Sequence, residues 1–179
     1  MPIWAGVKVA RLGPPLRGVN GGRLRLAAMR LEGEYEPSTR AWVREQVETY
    51  ERTGGREADT LRDTGLPVII VTARGVKSGK LRKIALMRVE HSGHYALVAS
   101  RGGAPEHPEW YHNLIAEPHV MIQDGPEPHD YVTEIVHGDD RDTWWERAVA
   151  AYPPYADYQD RTDREIPVFV ARPVERSLA

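Results

Sequence analysis

Pro67-Val68-Ile69-Ile70-Val71-Thr72-Ala73-Arg74-Gly75-Val76-Lys77-Ser78-Gly79-Lys80-Leu81-Arg82 is an apolar, β-branched run that opens into a basic loop punctuated by glycine. Alternating polarity would mark a strand with one wet face. Val68 to Thr72 is nearly all apolar instead, so both faces of this strand are expected to be buried. Gly75, Ser78 and Gly79 predict a tight loop after it. Working outward, 82–90 and 94–100 read as two more strands joined at His91-Ser92-Gly93. Val120 to Gln123 and Tyr131 to Val136 read as a pair around Asp124-Gly125-Pro126, and Pro167 to Ala171 as a last strand.

Helical signals flank these strands. Ser38 is placed to cap a helix running to about Arg52, with Trp42, Val43, Gln46, Val47 and Tyr50 on one face and Gly54-Gly55 stopping it. Pro108 starts a short helix through Trp110, Leu114 and Ile115 that Pro118 ends. Asp139 or Asp140 caps a third, through Trp144, Trp145, Ala148 and Val149. Residues 56–65 and 152–165 are expected as loops. About six mainly antiparallel strands with three helices make an α+β domain built on a small barrel.

Composition narrows the function. A length of 179 residues suits one domain with a real core, and 41% apolar against 28% charged residues excludes wholesale disorder. A formal net charge of −2 argues against nucleic acid as the main partner. The absence of cysteine removes disulfides, thiolate catalysis and cysteine-ligated zinc, and suits a reducing, cytoplasmic setting. No apolar run approaches the ~20 residues of a membrane-spanning helix. Residues 1–31 stand apart from the single domain expected over 32–179. They carry Lys8, Arg11, Arg17, Arg23, Arg25 and Arg30 with no acid, interleaved with Ile3, Trp4, Val7, Leu24 and Leu26. Such an arm suits the anionic inner face of a membrane, as peripheral contact. It suits a poorly ordered leader somewhat better, because Gly13-Pro14-Pro15 and Gly21-Gly22 break any long helix.

Three clusters carry candidate chemistry. In 74–82, two glycines free backbone amides to turn toward an anion, Lys77 and Arg82 supply charge, and Ser78 supplies a hydroxyl. This suits a phosphate cradle, or an ordinary exposed basic hairpin. It is not a Walker loop, since no helix follows. In Ala99-Ser100-Arg101-Gly102-Gly103-Ala104-Pro105, glycines permit close approach of a flat ligand before a helix N-terminus, and Trp110 offers a planar wall. A glycine turn leading into a packed helix with a core tryptophan reads as well. Tyr152, Tyr155 and Tyr158 recur at intervals of three, which puts them on one face if the segment is helical. Phenols both pack on planar substrates and donate protons. His107 and His112, and His91 and His94, lack the paired spacing of a zinc site, so no metal is expected.

Together these stretches resemble the deazaflavin-dependent nitroreductase family, whose members bind coenzyme F420. The resemblance runs in order through Arg74-Gly75-Val76-Lys77-Ser78-Gly79, Ala99-Ser100-Arg101-Gly102-Gly103 and Trp110-Tyr111-His112-Asn113-Leu114. It continues through Tyr152-Pro153-Pro154-Tyr155-Ala156-Asp157-Tyr158-Gln159 and Arg164-Glu165-Ile166-Pro167. It implies a split β-barrel and hydride transfer from reduced deazaflavin to a small planar acceptor such as a quinone, an activated enone or a nitroaromatic. It also implies that Lys77, Ser78, Gly79 and Arg82 hold the coenzyme's phosphate. Ala99, Ser100, Arg101 and Gly102 would border the ring, with Trp110 and Asn113 behind it. Tyr152, Tyr155 and Tyr158 would line the acceptor pocket, and Ser100 or a tyrosine would stabilise or protonate the acceptor oxygen. Val76 stands where the family has an arginine, a gap that Arg74 could fill. Ala85-Leu86-Met87 stands for the family's Pro-Leu-Tyr, leaving Met87 as a softer wall. Two other classes compete: an FMN-dependent split-barrel oxidoreductase, and a non-catalytic binding protein. The stretches Ala99-Ser100-Arg101-Gly102-Gly103 and Trp110-Tyr111-His112-Asn113-Leu114 fit the deazaflavin family better than an FMN enzyme, and the intact basic loop and the tyrosine cluster argue against a mere binding protein.

Overall fold

The computed structural model describes residues 30–174. The arm expected over 1–31 therefore lies outside the described residues, apart from its last two. Of these, Leu31 is buried at 5% exposure and so belongs to the packed domain.

The first helix, α1 (Ala41–Thr53), is held by Val47 and Tyr50, which are buried, and ends at Gly54 in the left-handed conformation. Its N-cap is Arg40 rather than Ser38. Ser38 instead accepts a bond at 3.2 Å from the amide of Arg40, two residues further on. The sheet strands are β1 (Val68–Arg74), β2 (Leu81–Met87), β3 (Glu90–His91), β4 (His94–Val98), β5 (His119–Gln123), β6 (Pro128–Ile135) and β7 (Val168–Pro173). They form one antiparallel seven-stranded sheet in the order β2-β1-β5-β6-β7-β4-β3. The edges β2 and β3 are consecutive in the chain. The segment expected as one strand over 82–90 is broken at Arg88-Val89, because its first part pairs with β1 and its last part with β4. The chain thus crosses from one edge of the curled sheet to the other, and the Ala96 amide bonds Val89 across the seam.

Alternation along the strands sorts the apolar residues into two cores. Ile69, Val71, Leu97, Val120, Ile122, Phe169 and Ala171 point into the barrel, where Leu114 of α2 (Glu109–Ala116) joins them. Val68, Ile70, Ala96, Val98, Val168 and Val170 point outward. They pack with Val47 and Tyr50 of α1, Ala148 of α3 (Gly138–Ala151) and Tyr155 of α4 (Pro154–Asp160). The expectation that β1 is buried on both faces holds, with Val68 to Ala73 all buried.

Two boundaries differ from the sequence expectation. Helix α3 begins at Gly138, so Asp139 and Asp140 lie in its first turn beside the positive end of the helix dipole rather than at the cap. The segment 152–165 is not simply a loop. Pro154 is compatible with the first turn of a helix, because it lacks only an amide that would be unpaired there, and α4 forms.

Candidate active site

The basic loop joins β1 to β2. The Gly75 amide bonds the Lys80 carbonyl and the Gly79 amide bonds the Gly75 carbonyl, each at 2.8 Å. The Val76 amide is held at 3.0 Å by the Oδ1 atom of Asn113, a buried residue of α2. Asn113 therefore pins the loop. Among the described residues the amides of Lys77 and Ser78 have no protein partner. The Ser78 hydroxyl accepts weakly from the Lys80 amide at 3.3 Å.

The cations around this loop are not equivalent. Arg74 spends its donors on Glu117 (3.1 Å), the Gly79 carbonyl (2.8 Å) and the Glu32 carbonyl (2.9 Å). It braces the loop from behind, which corrects the expectation that it substitutes for an arginine at position 76. Lys80 pairs with Glu34 at 2.9 Å, and Arg82 pairs with Glu36. Among the described residues Lys77 alone of these cations has no carboxylate partner. The Arg82–Glu36 pair is half-exposed, and such pairs are worth only about 0–1 kcal/mol, so an incoming anion can compete for Arg82. Free amides, a free ammonium and an exchangeable guanidinium fit a phosphate-bearing coenzyme.

The second cluster is the turn after β4. Arg101, Gly102 and Gly103 adopt successive left-handed conformations, with φ of 45°, 65° and 81°. Ser100 is buried, and its carbonyl accepts from the Gly103 amide at 2.9 Å. A side chain at Gly103 would meet the Tyr158 carbonyl oxygen at 2.5 Å. The turn is thus seated directly on the backbone of α4, which brings two of the three candidate clusters together.

The tyrosines divide by environment. Tyr152 ends α3, and its hydroxyl shares a hydrogen bond of 3.1 Å with that of Tyr158. Burial and the Tyr158 hydroxyl push the Tyr152 phenol up to about 12, so it stays protonated at neutral pH. Tyr155 is buried in the outer core with its ring centroid 5.0 Å from that of Tyr152, and burial raises its phenol too. It supports the other two rings rather than facing a substrate. Met87 is likewise a core residue, 7% exposed and packed with Val47, Tyr50 and Val68, which corrects its placement as a pocket wall. Trp110 leans on Phe169 at 5.9 Å against the barrel core, matching the packed-tryptophan alternative.

One residue was not singled out from the sequence as part of the site. Arg164 donates to the carbonyls of Ala104 (2.9 Å), Ala99 (3.2 Å) and Ser100 (2.8 Å), and lies 3.2 Å from His107 Nδ1. The only sequence signal for it is the Arg-x-Ile-Pro stretch. Among the described residues no group of three or more histidines and carboxylates could hold a metal, and no helix is long and apolar enough to cross a membrane.

A curled antiparallel sheet with a basic hairpin at one edge, and a glycine turn seated on a tyrosine helix, defines a split-barrel class of protein. The family model for F420H(2)-dependent quinone reductase matches residues 42–173, and the chain belongs to that family. It is a deazaflavin-dependent oxidoreductase, and its cofactor is coenzyme F420. An F420H(2)-dependent quinone reductase of Mycobacterium tuberculosis is 36% identical over 107 residues, 58% of this chain and 72% of that protein. A solved F420-H2-dependent reductase is 51% identical with a TM-score of 0.57, covering 59% of this chain and 94% of that one. Another solved chain, described as a domain-swapped dimer, is 48% identical with a TM-score of 0.59, covering 73% and 97%.

The two glycines of the turn separate strain from space. Gly102→Ala meets no atom within 4 Å and should cost about 1–2 kcal/mol for its left-handed backbone alone. Gly103→Ala adds a collision with the Tyr158 backbone and should cost distinctly more in urea unfolding. Equal losses would mean that the turn does not bear on α4.

His107 gives a pH prediction. Burial, the Arg164 cation and His112 push its imidazole below the usual histidine value, while its ring stacks on Tyr111 at 4.0 Å. Nearby Arg101 and Glu106 offset one another at 3.6 Å. A lowered folded value means that the neutral form stabilises the fold. That contribution is complete above the unfolded value of roughly 6.5 and is lost as pH falls through the folded one. The melting temperature should therefore fall more steeply below about pH 6.5 in the wild type than in His107→Gln, and parallel curves would refute it.

Proposed function

We propose that this protein reduces quinones, with the Ser100–Gly103 turn bordering the deazaflavin and the Tyr152–Tyr158 pair standing over the acceptor. The observation that carries this reading is the seating of the turn on α4, because it sets a ring-bordering backbone against a pair of linked phenols. The name of the Mycobacterium tuberculosis relative supports a quinone as acceptor. Activated enones and nitroaromatics share the flat, electrophilic character such a surface takes.

When bound, reduced deazaflavin would act as a two-electron donor, giving a hydride to an electrophilic carbon of the acceptor. Lys77, Ser78 and the two free loop amides would hold the coenzyme's phosphate, with Arg82 available to exchange Glu36 for it and Gly79 shaping the loop. Ala99, Ser100, Arg101 and Gly102 fix the distance of approach, which converts a bimolecular encounter into an oriented one. A phenol of the tyrosine pair donates toward the acceptor oxygen as negative charge collects there, and its neighbour can relay the proton.

Lys77→Ala should weaken F420 binding by the ~1.5–3 kcal/mol of a charge-assisted contact, a rise in Kd of about 10–150-fold. Fluorescence titration of the coenzyme reads this directly, and unchanged affinity with intact circular dichroism would remove Lys77 from the site.

Phenylalanine substitutions assign the proton donor. Tyr158→Phe or Tyr152→Phe should lower naphthoquinone turnover by ~10²–10⁴-fold, while Tyr155→Phe stays near wild type. Full activity in all three would confine the tyrosines to a packing role.

A further inference from the structure

We propose that Arg164 is a positioning residue for hydride transfer, holding the turn that borders the deazaflavin in its reactive shape; this rests on the quinone-reductase reading above. Its guanidinium reaches the backbone carbonyls of Ala99 and Ala104 on either side of the turn, and that of Ser100, the turn's first residue. The remaining contact is to His107, whose Nδ1 can accept from Arg164 only when the proton sits on Nε2. Among the described residues Arg164 has no carboxylate partner, so its charge is directed at these carbonyl dipoles and not at an ion pair.

The turn needs such a hold. Arg101 carries a side chain in the left-handed region, where a non-glycine residue persists only if its surroundings impose it. Inside the turn there are only two amide bonds, Gly103 to Ser100 at 2.9 Å and Ala104 to Arg101 at 3.2 Å. The guanidinium ties in the carbonyls of Ala99 and Ala104, which those bonds leave free, and adds a second donor to that of Ser100. Arg164 is itself fixed from the tyrosine helix, because Gln159 donates to the Arg164 carbonyl at 2.8 Å and accepts from the Ile166 amide at 2.9 Å. One side chain therefore sets the turn relative to α4, and with it the floor relative to the phenols. A lysine in its place supplies charge but not the planar fork that reaches three carbonyls at once.

The test uses the full chain with reduced F420 and a naphthoquinone, comparing wild type, Arg164→Lys and Arg164→Ala. Misplacing reacting groups by about 1 Å costs about 10²-fold, so kcat should fall by that order in Arg164→Ala and less in Arg164→Lys. The KM for the quinone should stay within a few-fold. Millimolar guanidinium should restore part of the turnover of Arg164→Ala. In the cofactor-free protein, hydrogen exchange should rise at the amides of Gly103 and Ala104 and not in β1 or β7. Turnover of Arg164→Ala within threefold of wild type overturns the proposal. So does a loss that guanidinium does not relieve and that tracks lower melting and faster exchange throughout the sheet. If wild type itself fails to reduce the quinone, the functional reading falls first. The exchange pattern then decides the hold on the turn by itself.

Discussion

Strand β1 carries apolar side chains on both faces, and both must leave water. A strand with one wet face would be satisfied by a single layer of helices beneath it. This one needs cover on two sides, and the sheet supplies it by curling, so that Ile69 and Val71 enter the barrel while Val68 and Ile70 meet α1 and the outer core. Much else follows from that constraint. The loop leaving β1 must emerge at the barrel rim, where Asn113 of α2 can reach it. The outer helices α3 and α4, needed to dry the second face, carry the tyrosines to the turn after β4.

Electrostatics at the site works by subtraction. The sequence presents a cluster of cations, but folding assigns most of them to nearby acids or carbonyls. Arg74 braces, Lys80 and Arg82 answer Glu34 and Glu36, and Lys77 is left to face solvent. The tyrosine cluster is pruned in the same way. Tyr155 fills a core, and the hydrogen-bonded pair Tyr152 and Tyr158 keeps the polar role.

What the amino-acid sequence reveals follows the range of the forces involved. The β-branched run at 68–72 is legible because burial of both faces leaves no polar alternation to misread. The hairpin at Ser92-Gly93 is legible because the turn is local. The break at Arg88-Val89 is not, because it depends on two different partners, β1 and β4, competing for adjacent stretches. Helix α4 hides behind Pro153-Pro154, which signals a loop until the second proline is seen in the first turn. In the site, the basic loop and the glycine turn are visible as motifs. Asn113 and Arg164 act through partners tens of residues away, so their roles emerge only when the chain is folded. Met87 sits at a position that family resemblance singles out, yet its burial is set by α1 packing.

The place of β7 between β6 and β4 has a consequence for how the molecule is made. Ribosomal synthesis delivers β4 long before residue 168, and until then Leu97 and Val98 line a slot with no occupant. Without β7, both β4 and β6 would present an unpaired edge on that side. Arrival of β7 zips Tyr95–Val98 and Tyr131–Ile135 onto one strand in a single late event. Pairing between segments so far apart in the chain must close a long loop first, which slows folding relative to local contacts.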